Sequence, residues 1–312
     1  MLIGIVMHEA CFGSAVASVI DVLQLATWVR DDVDPSLAEF RLATAAPEQV
    51  VNTTTSMPLR VDRSLDELED CDVILLPALG TLTAEETATA MASAGGRAIV
   101  RALSDVDPGR TPVLAACTAV FSVAETGHLD GRRATTSWFL APAFRNKYPN
   151  VLLDLDSMVV TDGGITTAGA AFAHIDLALT LVRGVSPSLA DRVARTLLVD
   201  ERVSQLAYVV YNHMEHIDPI TLAFEQYVRR HLAEPINIDA AAHELATSRR
   251  TLERRIRESL NLTPLGLVKR IRIQRAQDLR QTTDLGMQDV AMRVGYSNAE
   301  TLRALLRQGV KG

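Results

Sequence analysis

Two groups of residues in this chain have the types and spacing that could do chemistry. The first centres on Cys117. The apolar run TPVLAA (111–116) leads into Cys117, Thr118 and Ala119, and a helical stretch, AVFSVAET, follows at once. A thiol at a sharp strand-to-helix turn is presented at the strand-end crevice, and a helix N-terminus favours its thiolate. That is the geometry of a nucleophile elbow. A small, soft side chain also simply fills such a turn, as buried cysteines often do. The second group lies further along, where Leu252, Ile256 and Leu260 recur every four residues and mark an inward stripe. Arg250, Glu253, Arg254 and Arg257 then face outward. Arginines beside a glutamate can contact phosphates, guanine edges and a cytosine amine. A solvated surface helix with a Glu253–Arg257 pair would use the same residues.

Different elements must position these two groups. Before residue 200, short apolar runs alternate with helical patterns. The runs LIGIVM (2–7), FRLATA (40–45), DVILLP (72–77), TPVLAA (111–116), LDSMVVT (155–161) and GITTAG (164–169) read as strands. Val16–Val29, Glu85–Leu103, Val120–Glu125, Phe172–Arg183 and Leu189–Val199 read as helices. Continuous apolar strands alternating with amphipathic helices predict a parallel sheet covered on both faces, with its ligand crevice at the strand C-termini.

The charge is divided in the same way. The chain of 312 residues has a net charge of −7, but residues 219–312 alone carry 16 Lys+Arg against 10 Asp+Glu, a net of +6. The remaining 15 and 28 give the rest a net of −13. A compact basic module on an acidic body points to a polyanionic partner. Hydrophobic residues at 48% exclude a disordered chain, and no apolar run approaches the ~20 residues of a membrane helix. MLIGIVMHEA lacks a basic region before its apolar stretch, so it reads as a first strand rather than a signal peptide. Three widely spaced cysteines, Cys11, Cys71 and Cys117, fit a reducing cytoplasm better than a disulfide framework.

An internal repeat organises the basic third. IDAAAHELATS (238–248) aligns with MQDVAMRVGYS (287–297) at an offset of 49, pairing Ala241 with Val290, Ala242 with Ala291 and Leu245 with Val294. Past the turn the offset is 50, pairing Leu252 with Leu302 and Ile256 with Leu306. Each copy reads as a helix, a tight turn and a second helix, capped by Ser248 in the first copy and by Ser297 or Asn298 in the second. Gly295 suits a left-handed helix end. PLGLVKRIRIQRAQDLRQT (264–282) reads as a long connecting helix with Val268, Ile271, Ala276 and Leu279 inward.

Both halves resemble known families. AACTAVFSVAETGHLDGRRATTSW (115–138), VILLPALG (73–80) and ITTAGAAFAHIDLALTLV (165–182) resemble the PfpI-like, class I glutamine amidotransferase-like domain, in the version fused to AraC-type domains. That resemblance covers 1–183 and implies a flavodoxin-like α/β sandwich in which Cys117 is the elbow cysteine. Enzymatic members place a His where Ser137 stands and an acidic residue where Ala15 stands. Without that base and orienter, nucleophilic catalysis has no support. His128 and His174 remain as imidazoles elsewhere in the domain. The resemblance therefore implies a sensing or dimerising domain, with Cys117, Thr118, Gly80 and Ser137 around a ligand; the rival is a Cys-dependent amidase or hydratase with a DNA-binding tail.

The run 236–307, with SRRTLERRI, RIRIQRAQDL and VAMRVGYSNAETLRALL, resembles the AraC-type all-α double helix-turn-helix domain. Its base-reading positions fall on Arg250, Glu253 and Arg254, then on Glu300, Arg303 and Ala304, with Arg257, Asn298 and Arg307 beside them. The family's closing Gly-Pro-Tyr-Arg segment is absent from RQGVKG (307–312). The expectation is a cytoplasmic, homodimeric transcription regulator of a catabolic operon, with domains at 1–183 and 219–312 joined by a helical linker at 184–218. Its partners would be double-stranded DNA and a small effector, a nitrogen-containing metabolite by resemblance, with no membrane, cofactor or metal. His213 and His216, with Glu215 and Asp218, have near metal-ligand spacing but complete no zinc signature. Gly163-Gly164 reads as a hairpin turn rather than a phosphate loop.

Overall fold

The computed structural model describes residues 1–199, 218–260, 262–283 and 285–308. The chain divides into two compact units, Met1–Gln205 and Leu206–Gly312. In the first unit β1 (Leu2–Val6), α1 (Gly13–Val29) and β2 (Arg41–Ala45) come first, followed by a hairpin of β3 (Val50–Asn52) and β4 (Pro58–Arg60). Next come β5 (Val73–Leu76), α2 (Ala84–Ala92), α3 (Ala94–Ser104), β6 (Val113–Ala116) and α4 (Val120–Glu125). β7 (Arg133–Ala134), α5 (Ala141–Lys147), β8 (Leu152–Leu153), β9 (Val159–Asp162), β10 (Ile165–Ala168), α6 (His174–Val185) and α7 (Pro187–Leu197) complete it.

Six strands form one sheet in the order β2-β1-β5-β6-β10-β9, parallel except for β9. Alternation along the buried strands divides the core in two. Val73, Leu75, Leu114 and Ala116 face the α1, α6 and α7 side, whereas Ile74, Leu76, Val113 and Ala115 face α3, α4 and α5. A strand with apolar residues on both faces needs helices on both faces, and the sandwich results.

The expected strands are present, with LDSMVVT contributing only its end to β9. The expected helix Glu85–Leu103 is two helices, because Ser93 ends α2 and its Oγ accepts from Gly96 N to start α3. The hairpin β3–β4, the short pair β7–β8 and α5 carried no sequence signal. The linker boundary at 183 also needs correction. It falls inside α6, and α7 buries Leu189, Ala190 and Val193 in the first unit's core. Residues 200–217, which include His213, Glu215 and His216, lie outside the described residues. Among the described residues, no helix is long and apolar enough to cross a membrane.

The second unit is helical: α8 (Pro219–Arg230), α9 (Ile238–Glu244), α10 (Arg249–Leu260), α11 (Pro264–Thr282), α12 (Met287–Arg293) and α13 (Ala299–Gln308). Asp218 caps α8, accepting from Ile220 N and Thr221 N. Leu252, Ile256 and Leu260 are buried, as are Val268, Ile271, Ala276 and Leu279 on α11.

Gly163 (φ +56°) and Gly164 (φ +80°) form the two-residue turn between β9 and β10, with Asp162 paired to Ile165. Positive φ at both positions is what a type I′ hairpin requires. A Cβ on Gly164 would lie 2.0 Å from the Pro108 carbonyl oxygen, whereas one on Gly127, also at φ +80°, would meet nothing within 4 Å. Gly164→Ala should therefore cost roughly 2 kcal/mol or more of stability, and Gly127→Ala only about 1 kcal/mol from backbone strain. Urea unfolding of the two variants measures this, and equal losses would contradict the backbone clash.

Candidate functional site

Cys117 follows β6 with φ +56°, a left-handed conformation that a non-glycine residue adopts only under constraint from its surroundings. Three hydrogen bonds hold the adjoining strand ends. Thr136 Oγ1 donates to the Cys117 carbonyl (2.8 Å), Thr118 Oγ1 donates to the Leu79 carbonyl (2.8 Å), and Gly80 N donates to the Ala10 carbonyl (3.0 Å). The elbow is thus a built feature with the expected strand-to-helix geometry.

Its chemistry is another matter. Cys117, Thr118 and Ser137 are together and fully buried, Cys117 at 1% exposure. Burial pushes the thiol up to about 11. Ser137 Oγ is buried without a hydrogen bond of good geometry, and its interaction with the thiol offsets only part of that penalty. Ala15 is buried and brings no carboxylate. The two histidines are engaged elsewhere: His174 Nε2 accepts from Ala78 N (2.9 Å), and His128 Nε2 donates to the Leu103 carbonyl (3.0 Å). All three cysteines are free and buried.

The structure brings three of the four expected ligand residues together but closes them off. Gly80 is half-buried, packed where a Cβ would strike Thr54 and the Ala10 carbonyl. A hollow of about 660 Å³ is lined instead by His8, Glu9 and Ala10 after β1, by Pro47, Glu48 and Val51, and by residues of α2 and α3; none of the four expected residues borders it. MHEA at the end of the first strand was the available signal, since the crevice rule applies to β1 as well as β6.

The helix-turn-helix repeat is present twice. Ser248 Oγ accepts from Thr251 N to cap α10, and Asn298 Oδ1 accepts from Thr301 N to cap α13. Gly295 takes the left-handed turn at φ +79°, and Ala246 does so at the matching position of the first copy, at φ +50°. The expected DNA-facing residues other than Arg307 are exposed or half-exposed. Arg250 and Arg257 have no ion pair among the described residues, whereas Arg254 bonds both oxygens of Glu258 (3.1 and 3.2 Å). Glu253 accepts from Arg249 Nε (2.8 Å), and Arg303 pairs with Glu300. Ala304 is exposed, while the Arg307 side chain lies outside the described residues.

Sequence reading missed two positioning groups. Arg272 on α11 donates to the carbonyls of Glu234 (2.6 Å) and Gly295 (3.1 Å) and lies over the Tyr296 ring. Asp239 and Gln288, equivalent in the repeat, each clasp the start of a recognition helix. Asp239 pairs with Arg249 (3.0 Å), and Gln288 bonds Ala299 N (2.9 Å) and the Ser297 carbonyl (3.2 Å).

The elbow thiol gives a direct test. At pH 8 a thiol near its ordinary value of 9 is about 10% thiolate, and one at about 11 only ~0.1%. Iodoacetamide should therefore alkylate Cys117 about a hundred times more slowly than an ordinary thiol in the folded chain, and readily in urea. Peptide mass mapping measures this, and prompt native labelling of Cys117 at pH 8 would overturn it.

The profile of the DJ-1/PfpI family matches residues 16–184, and that of a helix-turn-helix domain matches residues 241–310. The chain is 29% identical over 211 residues to the HTH-type transcriptional regulator CdhR of Pseudomonas aeruginosa, covering 64% of this chain and 61% of CdhR. It thus spans about three-fifths of the length of that relative. It is 27% identical over 190 residues to the HTH-type transcriptional regulator GlxA of Rhizobium meliloti, covering 58% of this chain and 57% of GlxA. In fold it is similar to an AraC family transcriptional regulator from Pseudomonas putida, with a TM-score of 0.51 at 17% identity, covering 63% of this chain and 98% of that one. Oxidized DJ-1 from Toxoplasma gondii gives 0.50 at 17% identity, covering 64% and 99%. A family profile that spans more than half the chain, over the parallel sheet and the Cys117 elbow, leads to one assignment: the chain belongs to the DJ-1/PfpI family.

Proposed function

We propose that this chain is a sequence-specific DNA-binding transcription regulator whose α/β unit senses a small metabolite and pairs two protomers, without turnover at Cys117. The observation that carries the reading is the doubled helix-turn-helix, with arginines outward on both recognition helices. The relatives' names support it, since CdhR and GlxA are both HTH-type transcriptional regulators. Arg250 and Arg257, without an ion pair among the described residues, are suited to phosphate or guanine edges. Arg254, Glu253, Glu300 and Arg303 supply further base-reading groups once their ion pairs open, and the exposed Asn298 adds an amide donor. The absence of a proton acceptor at Ser137 and Ala15, together with the dry thiol, supports sensing over amidase chemistry. Thr118 and Gly80 then hold the strand ends in place around the elbow.

Two recognition helices in one chain should enter successive major grooves about one turn (~34 Å) apart. Hydroxyl-radical footprinting of the full chain, on duplexes selected from a random pool, should therefore show two protected windows on one face per protomer. On the selected duplex, Arg254→Ala should lose about 1–3 kcal/mol of binding, with little change on a scrambled duplex at the same salt. A footprint confined to one groove, or equal losses on both duplexes, would overturn base reading by these helices.

A further inference from the structure

α11 belongs to both helix-turn-helix copies. It packs on α8 and α10 before it and on α12 and α13 after it. Away from α11 the copies also meet directly, through the segment that leads from α8 into α9. Leu232 in that segment packs against the second copy's core, formed by Ala276, Leu279, Val290, Val294 and Leu302 among others. A Cβ on Gly295, in the second copy's turn, would lie 2.5 Å from the Leu232 carbonyl oxygen. The segment is itself fixed to α8, since His231 N donates to the Tyr227 carbonyl and Glu234 N to the His231 carbonyl.

Arg272, near the middle of α11, fastens this junction from both sides. Nη2 donates to the Glu234 carbonyl (2.6 Å), just before the first copy, and Nη1 donates to the Gly295 carbonyl (3.1 Å), in the turn that leads to α13. The guanidinium also lies over the Tyr296 ring, 5.5 Å from its centroid. Nε is buried without a hydrogen bond among the described residues, so the head group holds through its two Nη atoms and the ring. A planar fork bonded to two carbonyls fixes the distance between them, which one ammonium does not. A helix shared by two small copies lets them tilt as it bends. A bridge at its midpoint opposes that tilt.

We propose that Arg272 is the positioning residue that locks the two copies in one register, and so sets the spacing between the two base clusters that one chain accepts. The proposal rests on the reading given above that α10 and α13 both enter DNA. One base pair inserted between the clusters moves the second by about 3.4 Å and turns it by about 35°. A locked pair of helices does not follow that shift, whereas a hinged pair does. Binding of the full chain is measured at fixed salt on the selected duplex and on duplexes with one base pair inserted or removed between the protected windows. Wild type should lose about ten-fold or more on either altered spacing. Arg272→Met keeps the apolar stem without the donors, and its spacing penalty should shrink to about three-fold or less. Arg272→Lys, with a single ammonium, should fall between the two. The penalty is a ratio within one protein, so partial unfolding lowers binding to every duplex alike and leaves it unmoved. An unchanged penalty in both variants, or a wild type indifferent to spacing, would overturn the lock. If scrambling one window leaves wild-type affinity unchanged, the two-helix reading fails and takes the proposal with it. Where both windows count, the spacing series judges Arg272 alone.

Discussion

Loss of water at the carboxyl ends of β1 and β6 governs the chemistry of the α/β unit. Burial leaves His8, after β1, and Cys117, after β6, almost without solvent contact, and the same cause moves these two groups in opposite directions. The Cys117 thiol is pushed up to about 11 and the His8 imidazole down to about 4, because burial disfavours the charged form of each. A cation beside Cys117 would reverse its shift. The neighbours that favour its thiolate are Ser137 and Thr118, whose interactions recover less than burial removes. The elbow backbone is therefore retained at φ +56° while the electrostatics that would make it reactive are missing.

The second unit depends on a different kind of constraint, the placement of two short recognition helices by their connecting helix. Arg272 ties the carbonyls of Glu234 and Gly295 to α11, so the turn that closes α12 is fixed by a charged donor. The same guanidinium lies where a Cβ on Gly295 would fall, at 2.5 Å. Glycine at that position is thus required twice, for its left-handed φ and for the space that Arg272 fills. The two copies then differ in how the recognition helix begins. Asp239 holds α10 through an exposed ion pair that salt screens, and Gln288 holds α13 through neutral bonds to the backbone that it does not.

Much of this was legible in the sequence because it rests on periodicity. The five parallel strands, the TDGGIT hairpin, the inward stripe at Leu252, Ile256 and Leu260, and the caps at Ser248 and Asn298 all follow from local pattern and turn chemistry. What was not legible depends on long-range packing. Ser93 splits a continuous helical pattern because its hydroxyl caps a new helix, a choice that α3 makes by packing Ile99 and Leu103 on the sheet. α7 read as linker because its amphipathic pattern does not say which surface it covers. The crevice was expected at Cys117, yet the open space lies beside His8, walled by residues of α2 and α3 after β5. Spacing along the chain carries no information on such gaps.

If α10 reads DNA as proposed, the ion pairs along it decide which arginines are available to a base. Arg254 is already bonded to both oxygens of Glu258, but that pair is about half-exposed on both sides and lies at i,i+4. Such pairs contribute about 0.3–0.5 kcal/mol. A bidentate contact with guanine contributes about 1–3 kcal/mol of discrimination, so opening the pair costs less than the correct base returns. On a wrong base the return would vanish while the cost remained, so in the proposed function Glu258 would sharpen selectivity as a competitor for the same guanidinium. Arg249 is in a different position. It bridges Asp239 and Glu253, so taking it to DNA would release the start of α10 and the Glu253 carboxylate together. It orients Glu253, while Arg250 and Arg257, which have no ion pair among the described residues, are the arginines that the proposed function leaves open for phosphates.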